Sequence, residues 1–209
     1  MVTITTVMQP GARTFTHTIV IAGNRARSSD ELDHWRLFDF GRGEVTFVND
    51  IARTFRTVSS RGLLADRRAA DGGTPPAAFP RAQIRVTNAT RVLQGVTTLE
   101  SVVTLGAYER HLWIGVHPLI PPGLFAVMEA SRPTTTPMDG TMRAVDDVLL
   151  DVRGFPLAEH AELPYGNQKL MLDRAVTGIQ RRNVPAGWLK IGPGYRDITP
   201  RPPAATTRQ

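Results

Sequence analysis

The chain has 209 residues, no cysteine, 25 basic against 19 acidic residues and a net charge of +6. The missing cysteines exclude disulfides, thiolate chemistry and Cys-based zinc or iron–sulfur sites, and no apolar run approaches the roughly 18 residues of a membrane-spanning helix. Of the basic residues 23 are Arg, spread along the chain and not gathered into the one face that nucleic acid requires.

The N-terminal run Met1 to Val7 is strand-like and lacks the basic and long apolar regions of a signal peptide. The expected location is the periplasm or cell envelope, as a mature form without its leader, with the cytoplasm as the alternative. Residues 13–59 then read as successive β-strands. Thr14 to Ile21 is rich in β-branched residues and meets a Gly23-Asn24 turn. Trp35 to Phe40 alternates apolar with polar and turns at Gly41-Arg42-Gly43. Glu44 to Val48 turns at Asn49-Asp50, and Thr54 to Val58 follows. Short turns between alternating runs predict an antiparallel meander, whose apolar face must be covered.

Residues 60–80 break the pattern with Gly-Gly and Pro-Pro and predict a long connection containing one helical turn. Strands resume at Gln83 to Thr87, at Arg91 to Val103 with Gly95 as a bulge, and at Tyr108 to Gly115. A short apolar helix is expected over Leu124 to Ala130. A second is expected over residues 141–152, with Met142, Val145, Val148, Leu149 and Val152 on one face. Phe155 to His160, with a proline near its start, predicts an edge strand. Gln168 to Ile179 and Ile191 to Tyr195 are further strands, and residues 199–209 read as a disordered tail. The expected fold is mainly β: a curved antiparallel sheet, an incomplete barrel of about ten strands, with two helices covering its concave face. Residues 1–198 form one domain in this scheme.

Four segments carry a resemblance to a known family. They are Val20 to Arg27 with its Gly-x-Arg-x-Arg turn, Glu44 to Phe55, the pair Val92 to Val96 and Glu109 to Gly115 ending after a Trp, and the pair Phe155 to Leu157 and Asn183 to Tyr195, which resembles a closing hairpin with a Pro-x-Gly-Tyr turn. In this order they resemble the LolA/LolB/LppX-like half-barrel superfamily, near a group of uncharacterised bacterial envelope proteins. The resemblance implies a half-barrel with helices plugging its concave side, a lipid or lipoprotein acyl chain as ligand, and no catalytic residues. The chain departs from it in lacking a lipobox cysteine.

Taken by themselves, the residues supply little chemistry. No Gly-x-Ser-x-Gly, phosphate-binding glycine loop or metal-ligand spacing occurs. His34 beside Asp30, Glu31 and Asp33 has the composition of a metal site, but in a turn it reads more simply as a solvated acidic loop. Asp146, Asp147 and Asp151 read as the wet face of the second helix. No metal, cofactor or catalytic residue is assigned. A hydrolase would need a Ser or Asp in hydrogen-bond reach of a histidine inside a cleft. The ligand-binding candidates are Leu124, Phe125 and Met128 with Met142, Val145 and Leu149 on the helix side. Trp35, Phe38, Phe47, Phe55 and Trp113 are the candidates on the sheet side. These residues serve equally as a packed core, and only the space left between sheet and helices separates the two roles. Two functions follow: a non-enzymatic envelope carrier of a hydrophobic ligand, or an interaction module with a solid core and a protein partner.

Overall fold

The computed structural model describes residues 2–10, 14–29, 33–69, 82–131, 144–145, 148–165, 168–183 and 185–200. Its strands are β1 (Val2–Pro10), β2 (Phe15–Ala22), β3 (Arg25–Ser29), β4 (His34–Asp39), β5 (Glu44–Asn49) and β6 (Thr54–Ser59). After helix α1 (Ser60–Ala69) come β7 (Gln83–Leu93), β8 (Val96–Leu105) and β9 (Tyr108–Gly115). Helix α2 (Leu124–Ala130) precedes β10 (Phe155–Tyr165) and β11 (Gln168–Arg181). A 3-10 turn (Ala186–Leu189) and the two-residue β12 (Arg196–Asp197) end the described chain.

The strands form one curved sheet in the order β12-β6-β5-β4-β3-β2-β1-β11-β10-β9-β8-β7, an open sheet and not a closed barrel. Two meanders meet where β1 pairs with both β2 and β11. All neighbours are antiparallel except the short β12–β6 pair. Alternation assigns the faces. Ile21, Ala26, Phe38 and Val45 are successive cross-strand partners. With Ile19, Val103, Leu105, Tyr108, Leu112, Leu157 and Val176 they make the core against Leu124, Phe125, Val127, Met128, Val145 and Leu149. This is the concave, helix-covered face, and the opposite face carries the residues of the other parity.

Several expectations change. The described residues form twelve strands, because Arg25–Ser29 is a strand and not part of a turn. The run from Arg91 to Val103 is a hairpin. Gln94 and Gly95 both have positive φ (50 and 77°), the two-residue turn whose twist matches antiparallel strands. β10 is interior, between β9 and β11. It tolerates Pro156 because the register slips there, between Pro156 and Ala158, so a missing N–H falls at a bulge. Gly154 leads into this strand at φ 119°, and a Cβ there would stand 2.8 Å from the Gly115 carbonyl oxygen. Residues 191–195 form no strand, since Pro193 and Gly194 turn the chain and β12 follows instead.

The expected loop 60–80 begins with the ten residues of α1, and residues 70–81 lie outside the described part. Of the expected 141–152 helix, Ala144, Val145, Val148 and Leu149 are helical and the rest of its first half, Met142 included, lies outside the described residues. The expected tail begins too early, because Thr199 is bound to the sheet, its hydroxyl accepting from the Thr57 N–H at 2.8 Å. Residues 201–209 lie outside the described part.

Candidate functional site

The expected ligand-binding residues divide between the two faces. Phe38, Leu124, Phe125, Met128, Val145 and Leu149 come together in the core, and Phe47 packs against them half-buried. Trp35, Phe55 and Trp113 do not join them. Trp35 and Phe38 are an odd number of residues apart on one strand, and Trp35 pairs with Val48, which pairs with Phe55. These three aromatics therefore stand on the opposite face, where Trp35 lies under Arg27 and Trp113 under Arg91, guanidinium to ring centroid 3.9 and 3.8 Å.

Six of the candidates on the covered face are closely packed. Phe38, Leu124, Phe125, Val145 and Leu149 are 0–2% exposed and Met128 is 9% exposed. A void wide enough for an acyl chain would leave the atoms that line it accessible. Every residue of α2 is buried, including Glu129. Arg36 of β4 reaches across to its C-terminus, donating from Nη1 to the Ser131 hydroxyl at 2.6 Å and the Met128 carbonyl at 3.3 Å.

Beneath α2 lies a buried ionic cluster that sequence reasoning missed. Arg110 Nε is 2.7 Å from Glu159 Oε1, and Arg174 Nη2 is 2.5 Å from Glu159 Oε2. Burial alone would lower the Arg110 pKa, but the Glu159 and Glu129 carboxylates outweigh it and raise it. Arg110 is thus a fixed cation among carboxylates. The available signal was alternation: Tyr108, Arg110 and Leu112 share one face, and Glu129 sits in a helix otherwise apolar.

On this face His17 Nε2 lies 3.0 Å from Ser28 Oγ. Ser28 is fully buried, so no substrate carbonyl can approach its hydroxyl in this arrangement. His34 instead accepts from the Asn49 amide at 2.9 Å, and Asp30 and Glu31 lie outside the described residues.

The open face has two parts. Over β3–β6 it is covered by the segment that carries Trp188 and Tyr195 and then joins the sheet edge as β12. Arg27 lies between Trp35 and Trp188 and donates to the Trp188 carbonyl at 3.2 Å. Asp50 Oδ1 accepts from Trp35 Nε1 at 2.9 Å and from the Tyr195 hydroxyl at 2.6 Å. Burial would raise the Asp50 pKa, but those two bonds and the Arg27 charge hold it below the usual carboxylate range.

Over β8–β11 the open face carries histidines and carboxylates. His111 Nδ1 is 2.9 Å from Glu100 Oε1 and its Nε2 is 2.7 Å from Glu109 Oε1. His160 Nδ1 is 2.7 Å from Asp173 Oδ1, and Lys169 Nζ is 2.5 Å from Glu162 Oε2. Burial opposes protonation of His111, but the two glutamates outweigh it and raise its pKa. Glu100 is held low, chiefly by its bond to His111. Strand register alone brings His111 and His160 together, so spacing along the chain gave no hint of the pair.

No family model matches the chain, and no curated protein sequence matches it. Among solved structures it is similar to PNGF-II in a C2 space group, with TM-score 0.50 and 9% identity over 95% of this chain and 30% of that chain. The same protein in a P21 space group aligns at TM-score 0.44 and 8% identity, over 95% and 31%. The chain therefore spans less than a third of the length of PNGF-II, and at such identity the likeness is one of fold alone.

Proposed function

We propose that this chain is a non-enzymatic interaction module: a sheet with a solid core that receives an extended strand of a partner protein along the free edge β7. The observation that favours it is the contrast between a filled covered face and an exposed edge. β7 ends the sheet, and nine of its eleven residues are exposed. Ile84, Val86 and Val92 are 39%, 62% and 73% exposed, apolar and on one face. An unpaired edge of this kind is a template for strand addition.

A carrier of a lipid or acyl chain, the function implied by the half-barrel resemblance, would need α2 to leave the sheet. That movement would separate Arg36 from Met128 and Ser131 and strip Glu129 from beside Arg110. Interactions of charged groups in a dry site are expensive to break.

The partner is a different protein and not a second copy. Two-fold antiparallel pairing centred on Asn88 would set Arg85 against Arg91 of the other copy, and like charges directly opposed are unfavourable. An apolar strand with acidic residues at alternate positions complements Ile84, Val86 and Val92 on one face and Arg85 and Arg91 on the other. The edge is interrupted between Val86 and Thr90, where Thr87 turns onto Glu100 and accepts from the Ala89 N–H. Two short ladders are expected, not one long one.

The test is a titration with peptides of alternating apolar and acidic residues, followed by amide chemical shifts. Shifts along β7 and β8 are expected, weakened about tenfold or more in Arg85→Glu and restored by a peptide with lysines in place of the acids. Shifts confined to α2, or saturable uptake of a fluorescent fatty acid, would support the carrier instead.

A further inference from the structure

We propose that the open face of β9 and β10 is a divalent transition-metal site, formed by His111, His160, Glu109 and Glu162. The register makes His111 the direct partner of His160, and Glu109 that of Glu162, in a two-by-two block of metal-ligating side chains on one face. Each histidine is anchored from the strand beyond it. Glu100 on β8 holds Nδ1 of His111, and Asp173 on β11 holds Nδ1 of His160. A carboxylate on one ring nitrogen fixes the tautomer with its proton there, orients the ring and leaves the other nitrogen as the donor. For His160 that leaves Nε2 as the donor; Nε2 of His111 also faces a carboxylate, Glu109, so a metal ion there would have to displace its proton.

The two ring centroids are 6.5 Å apart, and two imidazoles sharing one zinc through nitrogens at about 2.1 Å have centroids about 5–6 Å apart. As the side chains stand, no three donors among the described residues already converge on one point. The positions where a cation would bind are held by other contacts: His111 Nε2 rests on Glu109, and the Lys169 ammonium neutralises Glu162. A metal ion would replace both contacts, the side chains rotating toward it. Imidazole and carboxylate donors without thiolate suit Zn²⁺, Cu²⁺ or Ni²⁺ over softer ions. The four side chains are partly exposed, which leaves coordination positions open to water or to a donor from another molecule.

This inference is independent of strand docking at β7. Its test is a titration of the intact chain with Zn²⁺ alone, read by calorimetry and by the histidine ring protons in NMR. One equivalent is expected, with the His111 and His160 rings shifting and His34 and His117 unmoved. His160→Gln and Glu109→Gln should each lose affinity about tenfold or more, and Asp173→Asn, which touches no metal, should lose about tenfold through the second carboxylate. Thermal melts without metal confirm that the surface variants fold. Absence of saturable binding, equal affinity in His160→Gln, or shifts at His34 in place of the pair would each overturn the proposal.

Discussion

The two halves of the open face are built of different residues and treated in opposite ways. Over β3–β6, aromatic and charged side chains are covered by the segment that carries Trp188 and Tyr195. Arg27 is stacked between two tryptophans, and Asp50 is bonded to Trp35 and Tyr195. Over β8–β11, Glu100, Glu109, His111, His160 and Asp173 satisfy one another and stay in contact with solvent. A sheet face that is aromatic must be covered to be stable. One that is ionic is stable uncovered and keeps its groups available for a ligand.

The largest expected effect comes from beneath both halves. Glu159→Gln leaves Arg110 and Arg174 with an uncompensated charge, and chemical denaturation should show a loss of about 3–5 kcal/mol. Phe125→Ala should cost a similar amount, about 3–5 kcal/mol, by opening a cavity under α2. If Phe125→Ala costs under about 1 kcal/mol, the covered face is looser than described.

The covered half of the open face can be broken next. Trp188→Ala removes one side of the Arg27 sandwich. Such a contact is worth about 0.5–2 kcal/mol, and protease sensitivity should rise selectively within residues 185–200. An equal rise across β8–β11 would show that the two halves are not separate.

The uncovered half gives the smallest effect and a pH signature. His111 has a raised folded pKa, so its contribution to stability is complete below its unfolded value near 6.5 and is lost as pH rises through the folded value. Stability should therefore decline slightly over that interval in the native chain and not in His111→Gln. A decline that persists in the variant would assign the slope to another group.

Alternation and turn chemistry made much of this fold legible. Glu44 to Val48 is readable because it is short, alternating and bounded by Gly43 and Asn49, and Thr54 to Val58 because it follows directly on that turn. Gln94-Gly95 was misread as a bulge because both neighbours continue the β-branched pattern, and only two positive φ values distinguish a turn there. Parity could have separated Trp35 from Phe38, since their odd spacing forbids one face. The ionic groups were illegible for another reason. Arg110, Glu159 and Glu129 sit on three elements far apart in the chain, and His111 meets His160 through a register that sequence does not encode locally.

Native mass spectrometry of the purified chain tests the central claim, that the covered face is a solid core, most directly. The account predicts one species at the bare chain mass of 23.0 kDa, unchanged after incubation with fatty acid or phospholipid. A second species, heavier by one acyl lipid and lost on unfolding, would contradict it.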